Sequence, residues 1–256
     1  MRATIVCIKK EMTEQVRSGR LVVLGMVFVL FGIMNPAVAK LTPWLLTAMA
    51  DTMAETGMTV TVSDPTALDS WAQFYKNIPM ALIVFVLVEG AIFTREYTSG
   101  TMILSLTKGL KRYKVVVSKT LILILLWTAC FILCFGITYA YNEYYWDNSV
   151  AGSLAFSAFC WWLFGIFVIG LLVLFSAVLR SGMAVLGACG AVVFAMSLAN
   201  MAKKITEVLP IYLTEGQALI CGRVEKGSFT AAIAISIAIS FICMAAAVLV
   251  FNRKQL

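Results

Sequence analysis

A chain of 256 residues that is 61% hydrophobic and only 13% charged exceeds the roughly 45–50% apolar content of soluble domains, and its apolar residues fall in long uncharged runs suited to a bilayer. It has no histidine, which removes the usual zinc sites, Ser-His catalysis and metalloprotease signatures, and it has no G-x-x-x-x-G-K-[ST] loop, so neither an enzyme nor a nucleotide site is expected. The net charge of +7 reads as a membrane-topology signal, because no aromatic residues interleave with basic clusters as nucleic-acid binding requires.

Residues 4–18 alternate at helical period, with Ile5, Ile8, Met12 and Val16 on one stripe and Lys9, Lys10, Glu14 and Arg17 facing away. This predicts an amphipathic helix over residues 1–20, lying in the interface with its cations near lipid headgroups. The first twenty residues lack an apolar core, so a cleavable signal peptide is not expected there. The first span is expected over 21–34, ended by Asn35-Pro36. Residues 37–77 hold four acids and two lysines, with a turn at Ser63-Asp64-Pro65-Thr66, and are expected to form short outside helices. The second span is expected over 78–93, and it contains Glu89, the one ionisable residue clearly inside an apolar run. An intramembrane carboxylate serves either transport or structural pairing, and the sequence leaves both readings open.

Between the second and third spans lies Glu96–Lys119, with Lys108, Lys111, Arg112, Lys114 and Lys119 against Glu96. Thr101 suits an N-cap and Gly109 a C′ position, which marks both ends of a short helix. Met102, Ile103, Leu106 and Leu110 share its apolar side. Such a helix either docks a partner protein or binds headgroups, and its pattern alone does not choose.

The remaining spans are expected over 115–139, 154–179, 183–201 and 229–251. Tyr144, Tyr145 and Trp146 fall in an outside loop over 142–152, as in an aromatic belt. Residues 205–219 read as a broken or re-entrant helix pair. Gly187 and Ala191, and likewise Ala232, Ser236 and Ser240, recur every four residues, a spacing that lets helices approach closely within one chain or between subunits. Of seven cysteines, five sit in apolar runs, which reads as small buried hydrophobes and not as a disulfide framework. With six spans, fourteen of the twenty Lys and Arg residues fall on the side of the termini, which predicts a multi-pass plasma-membrane protein with both termini cytoplasmic. The fold class expected is all-α and polytopic.

Glu96-x-x-x-Gly100-Thr101, then Leu104-x-Leu106-Thr107-Lys108 and a basic turn, then Ser118-Lys119 before a long apolar run, resembles the type-2 ABC transporter permeases. Phe31-Gly32-x-x-x-Pro36 and Pro65-Thr66-Ala67-x-Asp69-Ser70-x-x-Gln73-Phe74-x-Lys76-Asn77 look like the same family. Gly109 departs from it, standing where the family usually has proline. The resemblance implies a membrane subunit paired with itself or a similar permease and with two cytoplasmic ATPase subunits, which bind ATP and Mg; this chain would bind no cofactor. It makes 1–20 a connecting helix and Glu96, Gly100, Thr101, Ile103, Leu106, Lys108, Leu110, Lys111 and Arg112 parts of an ATPase-coupling helix. Within the family the chain looks most like exporters of antimicrobial or other amphipathic peptides. Two other functions fit the residues alone: an ATPase-independent channel or proton-coupled carrier using Glu89, and a non-transporting immunity or scaffold protein in the membrane.

Overall fold

A computed structural model describes residues 2–49, 64–90, 92, 112–179, 181–200 and 206–253. Among these, all regular structure is helical: α1 (Arg2–Arg17), α2 (Arg20–Ala48), α3 (Ala67–Glu89), α4 (Arg112–Tyr145), α5 (Leu154–Val178), α6 (Gly182–Asn200), the one-turn α7 (Gly216–Ile220) and α8 (Thr230–Arg253), with short 3-10 turns between them. Six of these helices are long and apolar enough to cross a membrane. The end of the bundle that carries α1 is termed the base, and the opposite end the crown.

Helix α1 ends in a tight turn, with Gly19 in the left-handed region at φ 73°, where a Cβ would be strained. The face α1 buries differs from the one its apolar stripe suggests. Glu11 and Gln15 are buried while Val16 is 56% exposed. Ile8 and Met12 do pack on the core. The helix lies against α2 and α4, and polar partners on the bundle take up its buried side.

Helix α2 does not stop at Asn35-Pro36; it runs through Pro36 and Pro43 to Ala48. Proline at 36 removes the amide that would bond the carbonyl of Gly32. That carbonyl accepts instead from Thr138 Oγ1 on α4, at 3.1 Å. Thr138 shares this proton with the Cys134 carbonyl and accepts from Asn35 Nδ2. Asn35 Oδ1 in turn accepts from Asn77 Nδ2 on α3 at 2.8 Å. The proline site is thus closed by a polar network from three helices, as membrane helices require when proline frees a backbone group.

Helix α3 starts well before residue 78. Thr66 and Asp69 form a capping box at its N-terminus, with the Thr66 amide bonded to Asp69 Oδ2 at 2.8 Å. Residues 37–48 and 67–77 therefore extend α2 and α3 and are not separate outside helices. Helix α4 likewise extends to Tyr145, beyond the expected 139, so Tyr144 and Tyr145 close a helix and only Trp146 onward is loop.

Helix α5 sits at the centre and is mostly buried. Gly165 lets α4 come close: a Cβ there would run into the Trp127 ring. Trp127 also stacks edge-on with Phe28 and Phe85 and donates to the Trp162 carbonyl. Helix α8 packs along α5 through Ala232, Ser236 and Ser240, all buried. At the crown, residues 206–229 form 3-10 turns and α7 laid over α5 and α8. Ser157 Oγ lies 2.6 Å from Tyr75 Oη and 3.1 Å from the Gly216 carbonyl. A carbonyl can only accept, so Ser157 donates to Gly216 and Tyr75 donates to Ser157. Trp161 Nε1 adds a bond to the Thr214 carbonyl. Helix α6 is the least enclosed of the six spans, with only Val185 and Cys189 buried.

Candidate functional site

The buried charges gather at the base, where α1, α2, α3 and α4 meet. Glu89 is the last residue of α3 and is fully buried. Its Oε2 accepts from Gln15 Nε2 on α1 at 2.7 Å and lies 3.8 Å from the Arg20 guanidinium at the start of α2. One turn earlier on α1, Glu11 Oε2 is 2.9 Å from Lys119 Nζ of α4. Lys119, 1% exposed, also donates to the Ile92 carbonyl at 3.2 Å.

Local sequence explains why these groups converge. Glu11 and Gln15 are four apart, so they sit on one face of α1. Glu89 reaches the same level because α3 ends there, and Lys119 because α4 begins seven residues earlier. The arrangement neutralises each buried charge with a partner from another helix, the condition under which charges persist away from water.

Among the described residues, no cluster of His, Cys, Asp and Glu could hold a metal ion. Apart from Arg112, the sequence-derived coupling residues Glu96, Gly100, Thr101, Ile103, Leu106, Lys108, Leu110 and Lys111 lie outside the described residues; Arg112 opens α4. Glu89 is brought together with Gln15 and Arg20, neither of which the sequence singles out. Lys119 does carry a signal in the sequence, being a cation at the start of an apolar run. Glu11 and Gln15 carry none, because as polar residues on an amphipathic helix they read as its solvated face. The two small-residue stripes separate. Ala232, Ser236 and Ser240 pack within the chain against α5, where a Cβ on Gly170 would stand 3.4 Å from Ser240 Cα. Gly187 and Ala191 face outward on α6, and a Cβ at Gly187 would meet nothing within 4 Å.

A groove of about 360 Å³ runs between α3, α5 and α6, lined by Leu82, Val86, Phe164, Val168, Val193 and Phe194 among others. Its walls are almost wholly apolar, so it suits hydrocarbon and not a charged solute.

The sequence pattern of the family described as ABC-2 family transporter protein matches residues 5–256. No curated protein and no solved structure matches the chain.

Proposed function

The chain belongs to the ABC-2 family of transporter membrane proteins, and from that premise we propose that it moves amphipathic peptides or other apolar or amphipathic compounds out of the cell. Its place in the transporter is the membrane permease, a non-catalytic subunit that works with an ABC ATPase partner. The finer reading is an exporter with two copies of this chain, or this chain and a similar permease, on two ATPase subunits, with both termini cytoplasmic. In it, the segment between α3 and α4 is the coupling helix. Ile103, Leu106 and Leu110 anchor it in a groove of the ATPase, and Lys108, Lys111 and Arg112 orient it. Glu96, Gly100 and Thr101 set its start.

One observation carries the reading: six long apolar helices without a nucleotide loop are joined, between α3 and α4, by a segment of mixed apolar and basic residues. An ATP-driven transporter built on such a bundle takes its energy from a partner subunit, and the mixed apolar and basic segment suits a partner's groove. The apolar groove beside α6 supports cargo with a hydrocarbon part. The geometry around Glu89, held by Gln15 and near Arg20, favours a structural role over a carrier role.

The test is co-purification with an ABC ATPase subunit co-expressed with the chain. The wild-type permease retains the ATPase through size-exclusion chromatography. Leu106→Asp combined with Leu110→Asp should abolish retention while leaving the permease monodisperse. Undiminished retention by the double variant would overturn the coupling assignment.

A further inference from the structure

Lys119 bridges the two ends of the segment that the proposed function assigns to coupling. Its ammonium donates to the carbonyl of Ile92, the last described residue before that segment, and sits on α4, the first helix after it. The described chain before residue 93 and the described chain after residue 111, the two legs, are thus tied together by one side chain. Helix α1 completes the tie on both sides. Glu11 takes the charge of Lys119 on the α4 leg, and Gln15, one turn on, binds Glu89 on the α3 leg. Arg20 carries the same contact into α2.

We propose that Lys119, with Glu11 and Gln15, is a positioning device for coupling: a clasp that fixes the spacing of the two legs, so that force on the segment between them reaches α3 and α4 as a rigid-body movement. This inference rests on the coupling assignment above. Three features single out the clasp. A lysine buried to 1% exposure is retained only where its charge and donors have fixed partners. Its acceptors come from two different elements, α1 and the end of the α3 leg, so no local helix requirement accounts for it. Finally, α1 contributes side chains to both legs at a spacing of one helical turn, which a helix packed by apolar burial alone would not need. A loose pair of legs would absorb a partner's movement in the loop; a clasped pair transmits it.

The experiment separates the ion pair from the bridge. Spin labels are placed at the exposed positions Leu87 on α3 and Tyr113 on α4 through cysteine substitutions, in a background with Cys7→Ser and Cys221→Ser. Their separation is measured by pulsed electron spin resonance on the permease alone and on its complex with the ATPase. Wild type should give one narrow distance distribution in both. Lys119→Met removes ion pair and bridge together and should broaden it. The swap Glu11→Lys with Lys119→Glu restores the ion pair, yet a carboxylate cannot donate to the Ile92 carbonyl. The swap should therefore recover thermal stability but not the narrow distribution. Lys119→Arg keeps both donors and should recover both, and the swap carries the test if the methionine variant does not fold. In the complex, the variants that broaden the distribution should still retain the ATPase but lose most of the permease-dependent change in its ATP hydrolysis rate, at least fivefold. A distribution as narrow as wild type in Lys119→Met or in the swap would overturn the clasp. Loss of the ATPase from wild type would instead count against the coupling assignment, and the distances on the permease alone would still decide the clasp.

Discussion

Thr138 shows how one hydroxyl settles a backbone problem. It supplies the proton that Pro36 withholds from the Gly32 carbonyl, and it accepts from Asn35. Thr138→Val should cost about 1 kcal/mol, the usual worth of such a bond between membrane helices. Pro36→Ala returns the amide to the helix, so the valine change should cost clearly less in that background. A double-mutant cycle on thermal unfolding of detergent-solubilised protein reads this directly; strict additivity would show that Thr138 does not serve the proline site. A second single-residue effect sits at the crown. Asp147 accepts from the Ser149 amide at 2.8 Å and its hydroxyl at 2.6 Å. These bonds hold its carboxyl below the ordinary aspartate value of 3.8. A lowered folded-state pKa stabilises above the unfolded value and fades as pH falls through the folded one. Asp147→Asn should therefore lower stability slightly at pH above the ordinary aspartate value and leave it unchanged at the acid end of a thermal-unfolding pH series, the effect being small because the carboxyl is exposed to solvent.

Between elements, glycine decides how close two spans lie. The α4–α5 contact depends on Gly165, because a Cβ there would enter the Trp127 indole. Gly165→Ala should destabilise by about 1–3 kcal/mol, the range for overpacking a filled core. Gly25 and Gly136 also sit within helices, but a Cβ at either meets nothing within 4 Å; alanine there should be neutral or mildly stabilising. Melting curves of the three variants compare them, and equal shifts would mean that helix propensity, not the Trp127 contact, governs position 165. The same scale explains what could be read in the sequence. The six spans were legible, because bilayer length and hydropathy are local properties. The reach of α2 past Pro36 was not. Its cause is Thr138, about a hundred residues away in sequence, whereas the rule that proline ends helices considers only the local amide. The buried face of α1 was misread for a related reason. Glu11 and Gln15 are polar by any scale, and only partners 108 and 74 residues away make their burial favourable.

At the scale of the whole molecule, the bundle is lopsided. Helix α5 is enclosed by its neighbours, while α6 touches chiefly α5 and the crown and leaves most of its surface outward. An exposed apolar helix in a membrane can simply face lipid, so exposure alone says little. What distinguishes α6 is the content of its outward face, where Gly187 and Ala191 stand one turn apart with no neighbour filling the space over Gly187. Side chains this small gain little from lipid but let a second helix approach closely. The small residues of α8, by contrast, are already spent on α5 within the chain. If two copies assemble as proposed, the α6 stripe is the better seam. Ala191→Cys should then form a disulfide-linked dimer when native membranes are treated with a mild oxidant. Leu249→Cys, at a position on α8 that is 63% exposed, serves as the lipid-facing control and should stay monomeric. Both substitutions go into the chain with Cys7 and Cys221 replaced by serine, which leaves only buried native thiols. Cross-linking of equal yield at the two positions would reflect random collision in the membrane, and cross-linking at 249 alone would move the seam to α8.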